Sequence, residues 1–222
     1  HRPQQRPAPA LDGARQRHGG RPAAISGKAR AVTPADVLDF WFGAPGSGEF
    51  GRPRKCWFEK KPAFDEEIRR RFLSALEDAA AGRLDGWTAQ PEGLLALIIL
   101  LDQFPRNLFR NDPRSFATDS RALDLARQAV KQGFDERLMP VQRVFAYLPY
   151  EHSEDLAMQD RSVTLFAGLA EGREGFGAYL DYAEKHRAVI RRFGRFPHRN
   201  AILGRASPPE EIEYLSQPGA GF

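Results

Sequence analysis

A chain of 222 residues with 41% hydrophobic side chains is long enough to bury a substantial core, which excludes a wholly disordered protein. Its formal charge of +4 misleads, because residues 1–30 hold seven Lys or Arg against the single acid Asp12, while the rest carries 26 basic and 28 acidic side chains. The body is therefore close to neutral, and its charge gives no reason to expect nucleic acid as a partner.

Residues 1–30 contain four prolines, four glycines and few large apolar side chains, too little to offset chain entropy on folding. They are expected to form a disordered basic tail, with a single all-helical domain over 31–222. Cys56 is the only cysteine, so no internal disulfide can form, and a reducing cytoplasm is the expected location. Beside Trp57 and Phe58 this thiol reads as a small buried hydrophobe.

In chain order, TPADVLDFWFG (33–43) pairs a Thr cap with Pro34 at the first helical position, and Val37, Leu38, Trp41 and Phe42 share one face. Phe64, Ile68, Phe72, Leu76 and Ala79 make a second stripe over 62–81, which Gly82 can end. Residues 91–104 are apolar nearly all round, hence a buried helix, which Pro105 is expected to stop. The apolar run 93–101 is far too short to span a bilayer, so no membrane partner is expected.

Further helices are predicted over 118–133, over 140–148 with Pro149 closing it, over 153–170 with Ser153 as cap, and over 174–194 before Gly194. Ser207 and Glu210 suggest a capping box for a last helix with Pro208 at its first position. No strand pattern competes with these elements. The fold class is all-α, with about eight helices in antiparallel pairs, as a bundle or a solenoid. No clean 34-residue period supports tetratricopeptide repeats directly.

Three helix exits join an aromatic to a proline and then to charge. Arg106, Asn107 and Arg110 follow Phe104-Pro105; Arg195, His198, Arg199 and Asn200 surround Phe196-Pro197; Glu151, His152, Glu154 and Asp155 follow Pro149. Acidic and basic exits are suited to mutual pairing through bidentate Arg–carboxylate bonds, a purely structural role. If they converge on a cleft instead, the same guanidinium and imidazole groups would bind an anionic small molecule or an acidic peptide end, with Glu151, Glu154 and Asp155 orienting the arginines.

A hydrolase-type alternative uses His152 or His198 as a base poised by Glu151 or Glu154. Metal binding through Glu151, His152, His186 and His198 lacks ligand spacing, so no metal is expected. No motif for a nucleotide or flavin is present, so no cofactor is expected. The aromatics near the arginines sit at core spacing, which argues against RNA.

The stretches VLDFWFG (37–43), LIILLDQFPRNLFR (97–110), FATD (116–119), YLPYEHSEDL (147–156) and RFGRFPHRNAILGR (192–205), with the terminal PGAGF, resemble a bacterial family known as domain of unknown function 924. The resemblance runs from about residue 33 to the C-terminus and leaves the basic tail outside. It implies an all-helical fold similar to tetratricopeptide-repeat proteins, here called tetratricopeptide-like, and no established activity or catalytic residue.

Overall fold

The first helix begins where its cap stands. Thr33 Oγ1 accepts from the Asp36 N–H at 3.3 Å and the Asp36 carboxylate accepts from the Thr33 N–H at 2.8 Å, a reciprocal capping box that opens α1 (Pro34–Phe42). The computed structural model describes residues 30–221, and every regular element among them is helical. The chain divides into two units, residues 1–31 and 32–222, and the described residues lie in the second save Arg30 and Ala31. The tail expected over 1–30 falls, all but Arg30, outside the described residues.

Val37, Leu38, Trp41 and Phe42 are buried from α1, as their spacing requires. They share one core with the inward face of α2 (Pro62–Ala80), formed by Ile68, Phe72, Ala75, Leu76 and Ala79. An aromatic cluster joins them: Trp41 lies edge-on to Phe104 at 5.6 Å and to Phe145 at 5.6 Å, and Trp57 meets Phe145 at 4.8 Å. The Trp57 indole donates to the Trp41 carbonyl at 2.8 Å, so this ring buries its apolar body with its N–H satisfied.

The central helix α3 (Pro91–Ile98) is buried on all sides, and Gly93 shows how closely it is approached. A Cβ there would stand 2.2 Å from the Trp87 carbonyl oxygen, so any side chain would have to displace backbone. Pro105 does not stop this helix. The chain passes through a π turn, Ile99–Gln103, into α4 (Phe104–Leu108), with the Phe104 N–H bonding the Ile99 carbonyl five residues back. The wider turn accommodates a proline that brings no N–H. Carbonyls loosened at the turn find side chains: Thr118 Oγ1 donates to Leu101 O at 2.5 Å, and Arg106 Nη1 to Asp102 O at 2.6 Å.

The remaining helices are α5 (Asp119–Lys131), α6 (Pro140–Glu151), α7 (Leu156–Ala170), α8 (Gly177–Phe193), α9 (Asn200–Leu203) and α10 (Pro209–Leu215). α5 packs on α3, and α6, α7 and α8 each pack on the helix before them, the short connections at 152–155 and 171–176 making α6, α7 and α8 antiparallel neighbours. Pro149 lies inside α6, which runs on to Glu151, so the expected stop at 148 is corrected by three residues. The cap of α7 is Asp155, which accepts from Met158 N at 3.0 Å, rather than Ser153. The box expected from Ser207 and Glu210 does not form: Pro208 is the capping residue and Ser207 Oγ accepts from Asn200 instead, at 2.9 Å. Cys56 is half-buried, and burial raises its thiol pKa, which keeps it protonated.

Candidate functional site

The π turn has one consequence at the surface of the core: it directs Asp102, fully buried, toward the end of α6. There Asp102 Oδ1 lies 2.7 Å from His152 Nδ1, and Gln103 Nε2 donates to Oδ2 at 2.6 Å. Burial alone would raise the Asp102 pKa. The His152 ring, the Arg106 charge and the two hydrogen bonds outweigh it and hold the carboxyl well below its ordinary range. An ionised carboxylate only accepts, so Nδ1 of His152 carries the proton and Nε2 carries the lone pair. Burial, then the charge of Arg106, lower the His152 pKa against the pull of Asp102, so the ring is neutral at physiological pH.

Two guanidinium groups close the arrangement. Arg106 forms a bidentate pair with Asp119 at 2.9 and 3.0 Å and lies 3.5 Å from Asp102 Oδ1. Arg199 donates from Nη2 to the His152 carbonyl at 3.0 Å and stands 3.5 Å from Asp119 Oδ2. Its guanidinium is sandwiched between Phe116 at 4.7 Å and Phe196 at 4.5 Å, and its buried Nε has no acceptor. Burial, followed by repulsion from Arg106, pulls its pKa down to about 10, and it stays charged.

Asp119, His152 and Arg199 border a cleft of about 380 Å³, lined also by Phe116, Ser120 and Glu154 among others, with Asp102 and Arg106 behind its wall. The sequence candidates Arg106, His152, Glu154 and Arg199 thus meet around one region. The others turn elsewhere. Arg110 and Asn107 bond Asp65, at 3.1 and 2.7 Å, on α2. Arg195 is bidentate with Glu211 at 2.8 and 2.9 Å, and Asn200 reaches the same carboxylate at 2.6 Å. Asp155 caps α7 and orients no arginine of the cleft.

The carboxylates expected to poise a histidine have different partners. Glu154 takes Arg205 in a bidentate pair, at 2.7 and 2.9 Å, and accepts from Phe196 N at 2.7 Å; burial raises its pKa but Arg205 brings it below the ordinary value. Glu151 lies 3.3 Å from His186 Nδ1, which donates to the Tyr182 carbonyl at 2.9 Å. Burial drives Glu151 up to about 8 and His186 down to about 3, so their contact is between neutral groups. His198 is outside the cleft lining, burial lowers it to about 4, and the backbone of Gly221 lies against its side chain.

Asp102, Asp119 and Arg205 are the residues that sequence reasoning missed. Asp102 looked like the polar end of an apolar run, and Asp119 like the first turn of a helix. Both stand inside motifs already singled out, LIILLDQFPRNLFR and FATD, which is the signal that points to them. Among the described residues, no three His, Cys, Asp or Glu side chains gather to hold a metal ion, and no helix is long and apolar enough to cross a membrane.

The profile of a bacterial protein family of unknown function, DUF924, matches residues 37–219. A solved structure of a protein of unknown function from Agrobacterium tumefaciens is similar over 83% of this chain and 97% of its own, with 44% identity and a TM-score of 0.73. No curated protein matches the chain.

Proposed function

This chain belongs to the bacterial DUF924 family, and for it we propose a cleft that binds a small anionic molecule and acts on it through His152 as general base. The observation that carries this reading is the 2.7 Å contact between the fully buried Asp102 and Nδ1 of a histidine whose ring borders the cleft. A carboxylate in that position fixes the tautomer, aims Nε2 and stabilises the imidazolium formed when Nε2 takes a proton. The edge of Arg199 is the anion donor, held flat between two rings.

In hydrolase-type chemistry, Nε2 removes a proton from water as the oxygen attacks an ester carbon or phosphorus, and the imidazolium returns that proton to the departing oxygen. A volume of about 380 Å³ suits a small molecule better than an acidic peptide end. The solenoid form implied by the family resemblance, supported by the antiparallel run α6–α8, and a cytoplasmic location, supported by the free thiol of Cys56, belong to the same proposal.

The test is a panel of small anionic esters and phosphoesters assayed with the full chain. His152→Gln should lower kcat by about 100-fold or more at unchanged melting temperature, and Arg199→Lys should raise KM more than it lowers kcat. The rate should rise with pH through an apparent pKa below 6.5 and then level off, because only the neutral ring accepts a proton. Turnover indifferent to His152→Gln would reduce the cluster to a structural lock between α4, α5 and α6.

A further inference from the structure

Away from His152, a groove of about 670 Å³ runs between the C-terminal half of α5 and the first turns of α7, with the end of α6 as its floor. None of its lining residues borders the His152 cleft. Arg127, Lys131 and Arg161 line it from two helices, and Asp124 is the sole acid among the lining residues. Lys131 and Arg161 form no ion pair with any described residue, while Arg127 meets only the exposed Asp124, at 3.7 Å. The groove therefore presents a net charge of +2, with Lys131 and Arg161 unpaired, on a body that is close to neutral as a whole.

The floor differs from an ordinary basic surface. Tyr150 is 3% exposed, and its hydroxyl donates to no described residue. Tyr150, Arg127 and Arg161 line the same groove, and the charges of Arg161 and Arg127 act on the phenol against that of Asp135. Burial dominates and raises the Tyr150 pKa, so the group remains an O–H donor. Val130 and Met158 supply apolar walls.

We propose that this groove is a second ligand site and that it takes a phosphate-bearing small molecule. Two guanidinium forks, an ammonium and a phenol offer more donors than one carboxylate can accept, and a phosphate has enough oxygens to accept from several at once. The volume has room for an organic group beside the phosphate. Because Arg161 and Lys131 hold no part of the fold together, their positions are free to serve a ligand.

Isothermal titration of the full chain with pyrophosphate tests the proposal. The expected result is one binding event that Arg161→Gln weakens by about tenfold or more and Tyr150→Phe by a few fold, with circular dichroism unchanged. Arg199→Lys should leave this event as in the wild type, which separates it from binding in the His152 cleft. Tighter binding of adenosine monophosphate than of inorganic phosphate would assign the walls to an organic phosphoester; the reverse order would assign the groove to the free ion, and either supports phosphate recognition. The proposal is overturned if pyrophosphate gives no heat at about 10 mM, if Arg161→Gln binds like the wild type, or if Arg199→Lys abolishes the event.

Discussion

Around His152 each guanidinium has a carboxylate in reach: Arg106 faces Asp119 and Asp102, Arg199 faces Asp119, and Arg205 embraces Glu154. Around Tyr150, Arg161 and Lys131 face none, and Arg127 only an exposed one. The same residue type is thus used in two ways. Where arginine is buried, desolvation demands a counter-charge, and the result is a rigid, nearly neutral frame that fixes the direction of an imidazole. Where it stays at the surface, water provides the compensation and the charge remains available to a ligand. A count of arginines near an aromatic does not distinguish the two uses; burial and pairing do.

The comparison breaks most sharply at Asp102. Asp102→Ala leaves Arg106 with one carboxylate fewer, removes the acceptor of His152 Nδ1 and opens space in the core. Losing one partner of a buried charged set costs about 3–5 kcal/mol, and urea denaturation of the variant should show a loss of that size. A loss under about 1 kcal/mol would mean that the frame is as loosely coupled as a surface pair, and the distinction between the two regions would fall.

Asp102 also marks where the sequence ceases to be readable. Apolar faces of α1, α2 and α5 follow from spacings of three and four residues, and caps such as Thr33 from a neighbour three positions away, so these parts of the fold are legible locally. The frame is made of partners 50, 47 and 51 positions apart in the pairs His152–Asp102, Arg199–His152 and Arg205–Glu154, and no period or motif announces them. The prolines misled for a different reason. Pro105 and Pro149 signal helix ends when only the missing N–H is weighed, yet a π turn and side-chain donors from Thr118 and Arg106 carry the first helix past Pro105. The charged exits at 106, 152 and 199 were legible as a set because each sits beside an aromatic and a proline. Which of their members face the cleft was not, since Arg110 and Arg195 differ from Arg106 and Arg199 only in the carboxylates that folding brings to them.

A smaller effect, dependent on pH, sharpens the account of the buried frame. Glu151 titrates at about 8 in the fold against 4.5 as its ordinary value, so the stability tied to its neutral form is full below 4.5 and is lost as pH rises through 8. His186 has the opposite sign: its folded value of about 3 means that stability is present above 6.5 and lost as pH falls through 3. Glu151→Gln keeps the shape and removes the first dependence alone. The variant should gain stability relative to the wild type between pH 5 and pH 9, by on the order of a few kcal/mol, read as the difference between their denaturation curves at the two values. A difference that stays constant across that range would mean that Glu151 is ionised and paired with His186⁺, and that this part of the frame is an ion pair after all.

The smallest effect belongs to the groove, and its smallness is the point. Arg161 is exposed and unpaired, so Arg161→Gln removes no bond and opens no cavity, and its stability should lie within about 0.5 kcal/mol of the wild type. With three cations and one carboxylate lining the groove, removing one cation should stabilise the fold slightly at low salt, and the gain should vanish as salt screens the repulsion. Thermal denaturation at low and high ionic strength measures this directly. A loss of stability in both conditions would show that Arg161 has a structural partner in solution, and the contrast between an arginine that builds a frame and one that awaits a ligand would then have to be redrawn with Arg161 on the other side.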